Sequence, residues 1–134
     1  MKLLRITVLS LLCASTFMAC KKDKDDATTT PKSSEMAGNW VGKYGNGSDS
    51  PALYFAFVLG SSGTIEEVNK YGVKLAKGTW TINGYKFVAS LRYLADASNG
   101  YSVTATLNEA KNTLTGTWGY RYNVSNGGAF YMNK

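Results

Sequence analysis

The chain contains no histidine, and its two cysteines, Cys13 and Cys20, both fall within the first 20 residues. Without histidine it lacks the commonest general base and the commonest metal ligand. With no thiol after Cys20, the rest of the chain has no cysteine nucleophile, no cysteine-held zinc and no disulfide. Neither a cofactor nor a metal is expected, and core packing alone must hold the fold. Acids are scarce as well: from residue 36 onward there are only Asp49, Glu66, Glu67, Asp96 and Glu109. On a strand, adjacent Glu66 and Glu67 point to opposite faces. Asp49 and Asp96 lie in Ser/Asn/Gly-rich stretches, where turn formation accounts for them. The glycines form no phosphate loop. No catalytic residue is therefore expected, and the chain reads as a non-enzyme.

Long apolar runs are missing too. The longest, Ile6 to Met18, is 13 uncharged residues. As a helix it would rise about 20 Å, short of the roughly 30 Å hydrocarbon core. Lys2 and Arg5 precede it and the small residue Ala19 follows it, the layout of a secretory signal over residues 1–19. Phe17-Met18-Ala19-Cys20 resembles a lipobox, the site where lipoprotein signal peptidase cuts before a diacylated cysteine. Phe17 stands where leucine is usual, a relaxation met in Bacteroidota. The resemblance implies lipidation of Cys20 with palmitate-type acyl chains and a membrane-held protein of the cell envelope. At about 0.8 kcal/mol per buried CH₂, two or three such chains make release slow.

Residues 20–35 carry a charged, Ser/Thr-rich stretch without aromatics, read as the lipidated cysteine and a flexible tether. Within it Lys24-Asp25-Asp26 resembles the short Lys-acidic signal that sends some Bacteroidota lipoproteins to the outer face of the outer membrane; a solvated spacer fits those residues equally. The basic excess is mild. From Met36 onward nine Lys/Arg face five Asp/Glu, spread along the chain without a basic cluster, so nucleic acid is not an expected partner.

Residues 36–134 have a period of two. Leu53, Phe55, Phe57 and Leu59 alternate with Tyr54, Ala56 and Val58. Phe87, Ala89, Leu91 and Tyr93, and then Tyr101, Val103, Ala105 and Leu107, repeat the pattern. Turn signals separate the runs at Gly45-Asn46-Gly47, Ser61-Ser62-Gly63, Asn83-Gly84, Asn99-Gly100, Lys111-Asn112 and Asn126-Gly127-Gly128. The spacing predicts eight strands near 38–44, 52–60, 64–70, 73–82, 85–95, 101–108, 113–122 and 128–133. The expected class is all-β, a small up-and-down barrel of about eight strands, with a β-sandwich as the alternative. No helical periodicity is found beyond the signal.

All three tryptophans follow glycine by two residues, in Gly38-Asn39-Trp40, Gly78-Thr79-Trp80 and Gly116-Thr117-Trp118. The glycines either make room for an indole or allow strong strand bending. The indoles serve either as core plugs at one end of the barrel or as the floor of a ligand cavity. Gly38-Asn39-Trp40 opening an eight-strand meander resembles the Gly-x-Trp signature of lipocalins and other calycins, and Leu114-Thr115-Gly116-Thr117-Trp118 looks like strands of avidin-type barrels and small lipocalin-like bacterial lipoproteins. The lipocalin Thr-Asp-Tyr turn is absent. The resemblance implies non-covalent binding, with Arg121 as the late-strand arginine that packs over the first tryptophan.

Nine tyrosines add rings with polar tips, and Tyr120 and Tyr122 share a face beside Arg121. The candidate ligand-binding residues are Trp40, Trp80, Trp118, Tyr120, Arg121 and Tyr122. The expected partners are membrane lipid through Cys20 and a small apolar ligand, a glycan or an envelope protein. The competing reading is a protein–protein module, such as an inhibitor of an envelope hydrolase or an accessory subunit. The barrel's inside separates them. An interior filled by Phe55, Phe57, Leu91, Val103 and the indoles favours binding through loops, and a pocket of hundreds of Å³ favours a ligand carrier. A partly filled interior with a shallow mouth is expected.

Overall fold

Each apolar run forms a strand, and each strand pairs with the next in the chain. In the computed structural model, which describes residues 30–134, the strands are β1 (Gly38–Tyr44), β2 (Leu53–Leu59), β3 (Thr64–Val68), β4 (Lys74–Asn83), β5 (Lys86–Tyr93), β6 (Gly100–Leu107), β7 (Thr113–Tyr120) and β8 (Gly128–Asn133). All pairings are antiparallel, and β8 returns to pair with β1, so the sheet closes into a barrel rather than a sandwich. Every expected strand occurs, with its ends within two residues of the expected positions. Closure leaves no sheet edge for another chain to extend. The signal segment, Cys20 and Lys24-Asp25-Asp26 lie outside the described residues.

Alternate residues fill the inside. Phe55, Phe57, Ile65, Phe87, Leu91, Val103, Leu107, Leu114, Phe130 and Met132 are buried in one cluster. Each large side chain buried there contributes about 1.5–3 kcal/mol relative to exposure. The two ends of the barrel differ. One end gathers the β2–β3, β4–β5 and β6–β7 turns with both chain termini of the described segment, and it is shut. A short helix, α1 (Ser33–Met36), lies there, where the tether reading had placed unstructured chain. Met36 is fully buried, and the Trp40 indole donates to its carbonyl at 2.8 Å. Glu35 of α1 pairs with Lys111 of the β6–β7 turn at 3.3 Å, and the Lys134 ammonium donates to the Glu35 carbonyl. α1 was not visible in the pattern because four residues are too few to show a period of 3.6.

Two glycines of the tryptophan triplets, Gly78 and Gly116, let neighbouring strands approach closely, whereas Gly38 takes a φ of +126°. A Cβ on Gly116 would sit 1.9 Å from the Thr104 carbonyl oxygen and 2.5 Å from the Ala105 Cα, both backbone atoms of the neighbouring strand. Gly78 meets the Ser90 carbonyl in the same way, at 1.8 Å. The glycine that makes room for an indole is Gly127, whose Cβ would lie 2.5 Å from Trp118 Cδ2. Gly116→Ala should therefore cost about 2–3 kcal/mol or more in urea unfolding, since the obstacle is backbone and cannot turn aside. A change within a few tenths of a kcal/mol would refute the close approach of β6 and β7.

Candidate functional site

The other end of the barrel is open, and its inner face changes character. Continuing the inward phase of each strand toward this end replaces Leu, Val and Phe with Tyr44 on β1, Glu67 on β3, Tyr93 on β5, and Tyr101 and Trp118 on β6 and β7. With Phe55 these side chains line a cup of about 60 Å³ just inside the mouth. That is room for a few waters or one small chemical group, well below the 300–1,000 Å³ of a drug-sized pocket. The interior below is packed by Phe55, Phe57, Leu91, Val103, Trp40 and Trp80, so the barrel is filled rather than partly filled. Only the shallow mouth remains, the arrangement that favours binding at the open end and its loops.

Rings of the cup lean on one another at interplanar angles from 41° to 88°, and none of these pairs stacks in parallel. Trp118 is braced from both sides: Tyr44 and Tyr101 meet it edge to face at 5.6 and 6.4 Å between centroids. Its indole donates to the Gly45 carbonyl at 2.9 Å, which ties the β1–β2 loop to β7. Outside the cup Tyr120 continues the wall, its ring 5.1 Å from that of Trp118.

Glu67 is the acid that points inward. Its strand partners are Phe57 and Ala76, both buried, while Glu66 beside it faces outward and pairs with Lys74 at 2.8 Å. Directly after Glu67 the β3–β4 ladder shifts register, an irregularity of the kind that re-aims side chains at barrel rims. The Tyr101 hydroxyl donates to Glu67 Oε2 at 2.7 Å. Among the described residues no ion pair and no second hydrogen bond reaches this carboxylate. Burial pushes the Glu67 carboxyl above the usual glutamate range, with the Tyr101 hydroxyl pulling the other way. Burial and then the charge of Glu67 raise Tyr101 well above an ordinary tyrosine, so its proton stays in place to donate. Tyr93 is raised by the same two causes in the same order.

Of the six candidate residues, Trp118 lines the cup, and Tyr120, Arg121 and Tyr122 stand on its rim. Arg121 and Tyr120 flank a larger open depression of about 460 Å³ that also reaches Tyr93 and Asp96. Tyr122 is 81% exposed and receives a hydrogen bond from Arg92 at 3.1 Å. Trp40 and Trp80 are absent from the site. Both are buried toward the shut end, where the Trp80 indole donates to the Gly60 carbonyl at 3.1 Å and its ring stacks on Phe87. Two indoles are thus plugs at one end and the third belongs to the opposite mouth. Arg121 lies at that mouth, away from Trp40, so the arginine-over-tryptophan packing implied by the lipocalin resemblance does not form. Strand direction places them so: Trp40 is the third residue of a strand leaving the shut end, whereas Trp118 is near the end of a strand arriving at the open one.

Glu67 escaped the sequence reading, although a signal was present. It shares its phase with Ile65, so an inward isoleucine puts the glutamate inward too. Asp96, by contrast, is consumed by its own turn, accepting from Ser98 N and Oγ and from Asn99 Nδ2. Among the described residues, no group of three or more His, Cys, Asp and Glu is placed to hold a metal ion. No family model, curated protein or solved structure matches the chain.

The raised carboxyl of Glu67 has a signed consequence. The folded state holds this proton to a higher pH than the unfolded state, so its contribution to stability is lost as pH rises from 4.5 through the folded value. Glu67→Gln keeps an acceptor for Tyr101 and removes the charge. Its melting temperature should exceed that of the parent at pH 7, with the difference vanishing below pH 4.5. A variant less stable at pH 7 would show that the charge is compensated within the fold.

Proposed function

We propose that this protein is a membrane-anchored lipoprotein of the cell envelope, residing in the outer membrane, whose small barrel binds a ligand non-covalently through its open mouth. The observation that carries this reading is the cup itself: four polar-tipped or indole rings and one carboxylate set where the core packing stops. Its size argues for a small chemical group, such as the tip of a glycan, over an apolar molecule enclosed in the barrel. Binding rather than catalysis suits a site whose single acid has no second acid or base beside it.

The position of the chain start supports the anchored reading. The described segment enters at the shut end through α1. Nine residues, 21–29, lie between Cys20 and Thr30, a span of at most about 35 Å. A lipid on Cys20 would therefore attach the barrel through its shut end and keep that end within about 35 Å of the membrane. The expected test is intact mass from the native membrane: residues 20–134 plus acyl groups, with the added mass lost in Cys20→Ala. An unmodified chain in the soluble fraction would overturn the anchor.

A protein partner is the second reading, and a specific observation favours it. Exposed apolar and aromatic side chains crowd the open end: Tyr71 at 78% and Val73 at 56% on the β3–β4 loop, Leu94 after β5, Tyr120 ending β7 and Tyr122 beyond it, and Leu53 and Tyr54 at the start of β2. Such a ring suits a protein contact around the small cup.

The three tryptophans make the site easy to interrogate. In ¹H–¹⁵N spectra each indole N–H gives one resonance, and soluble chitooligosaccharides should move that of Trp118 while leaving those of Trp40 and Trp80 in place. A long-chain fatty acid that moves Trp40 and Trp80 instead would mean that the barrel opens to enclose apolar ligands, against the mouth-binding reading.

A further inference from the structure

The cup holds more than the proposed reading uses, because its one formal charge is left without a counter-ion. A carboxylate facing the interior of a barrel is costly unless it is paired or stays protonated. The Tyr101 hydroxyl satisfies only Oε2. Lys74 binds Glu66 on the outer face, and Arg92 reaches Tyr122 and the Ser98 carbonyl on the rim. Arg121 stands on the rim beside Tyr93 and Tyr120, with no ion pair to Glu67 among the described residues. The surrounding groups on the adjacent strands are Tyr44, Phe55, Tyr93, Tyr101 and Trp118, none of them cationic. Aromatic rings carry negative faces and attract a cation held within about 6 Å, more strongly when water is excluded. The remainder of the barrel domain is net positive, with nine Lys/Arg against the four Asp/Glu other than Glu67 from Met36 onward, so the cup has the opposite sign to the molecule around it.

We propose that the cup binds the head of an alkylammonium ion, with Glu67 as its counter-ion and the rings of Tyr93, Tyr101 and Trp118 as its walls. This rests on the mouth being the binding end and names the chemistry that the mouth selects. The head enters the cup of about 60 Å³ and its stem leaves through the mouth, where the exposed tyrosines of the rim meet whatever carries it. A neutral group of the same shape gains the apolar contact but not the charge, and leaves Glu67 desolvated and unpaired. An anion meets Glu67 directly and is excluded.

The source of the ammonium, a free amine or a lysine side chain on a protein partner, is separable by the choice of probe. n-Pentylammonium, 1-pentanol and the peptide Gly-Gly-Lys-Gly-Gly with blocked ends are titrated into the full domain at pH 7, with the Trp118 indole resonance as readout. The expected result is saturable binding of n-pentylammonium, at least about tenfold tighter than 1-pentanol, which corresponds to 1.4 kcal/mol. Glu67→Gln should weaken n-pentylammonium by about tenfold and bring it level with 1-pentanol. Tyr93→Leu, which removes one wall and leaves the carboxylate, provides an independent loss. If the peptide binds as tightly as n-pentylammonium, the head belongs to lysine on a partner; if only the free amine binds, it is a small metabolite. Either result upholds the proposal.

Equal binding of n-pentylammonium and 1-pentanol overturns it, as does unchanged ammonium affinity in Glu67→Gln. A Trp118 resonance that moves with chitooligosaccharides but not with n-pentylammonium overturns the cation while leaving the mouth as a binding site. A resonance unmoved by every probe overturns both.

Discussion

Closing eight short strands into a barrel puts every second residue into one confined volume, and those residues must fill it. Everything else in the molecule follows from where that filling succeeds and where it stops. Phe57, Leu91, Val103 and Phe87 pack the middle, and Met36 with Trp40 seals the end at which the described chain begins. Toward the opposite end the same inward positions carry Tyr44, Tyr93, Tyr101 and Glu67. Hydroxyls and a carboxylate cannot be packed dry without partners, so the core ends there and a cup begins. The site is the point at which the alternation continues and the apolar chemistry does not.

Much of the architecture was legible because a barrel of this kind is written in local signals. Period two gave the strands, and Gly- and Asn-rich pairs gave the turns; Asn83-Gly84 is an example, with Gly84 at φ +58° where a two-residue turn requires it. The run of consecutive hairpins pointed to a barrel with a sandwich as the alternative, and the long-range pairing of β1 with β8 decides for the barrel. The tryptophan triplets, by contrast, misled. Three similar triplets look equivalent in a sequence, yet strands alternate in direction, so Trp40 and Trp80 plug one end and Trp118 reaches the other. Gly78 and Gly116 serve the approach of neighbouring strands, which no single strand reveals.

Glu67 marks the opposite failure. Its phase was readable, but its neighbours were not: Tyr101 lies 34 residues away and reaches it only through the closed topology. A half-buried carboxylate with a single hydrogen bond lowers stability, the pattern expected when local rules are broken at a functional position. The two ends therefore divide the work in the proposed account. The sealed end receives the start of the described chain, on the side of the proposed anchor, and the open end presents an aromatic cup ringed by exposed tyrosines.

The central claim is that this cup holds a desolvated carboxylate awaiting a partner. A ¹³C titration of the Glu67 side-chain carboxyl in the unliganded protein tests it most directly. The account predicts a midpoint clearly above 4.5, the ordinary glutamate value, because burial outweighs the single hydrogen bond from Tyr101. A midpoint at or below 4.5 would mean that solvent or an internal cation already stabilises the charge, and the cup would lose its reason to bind one.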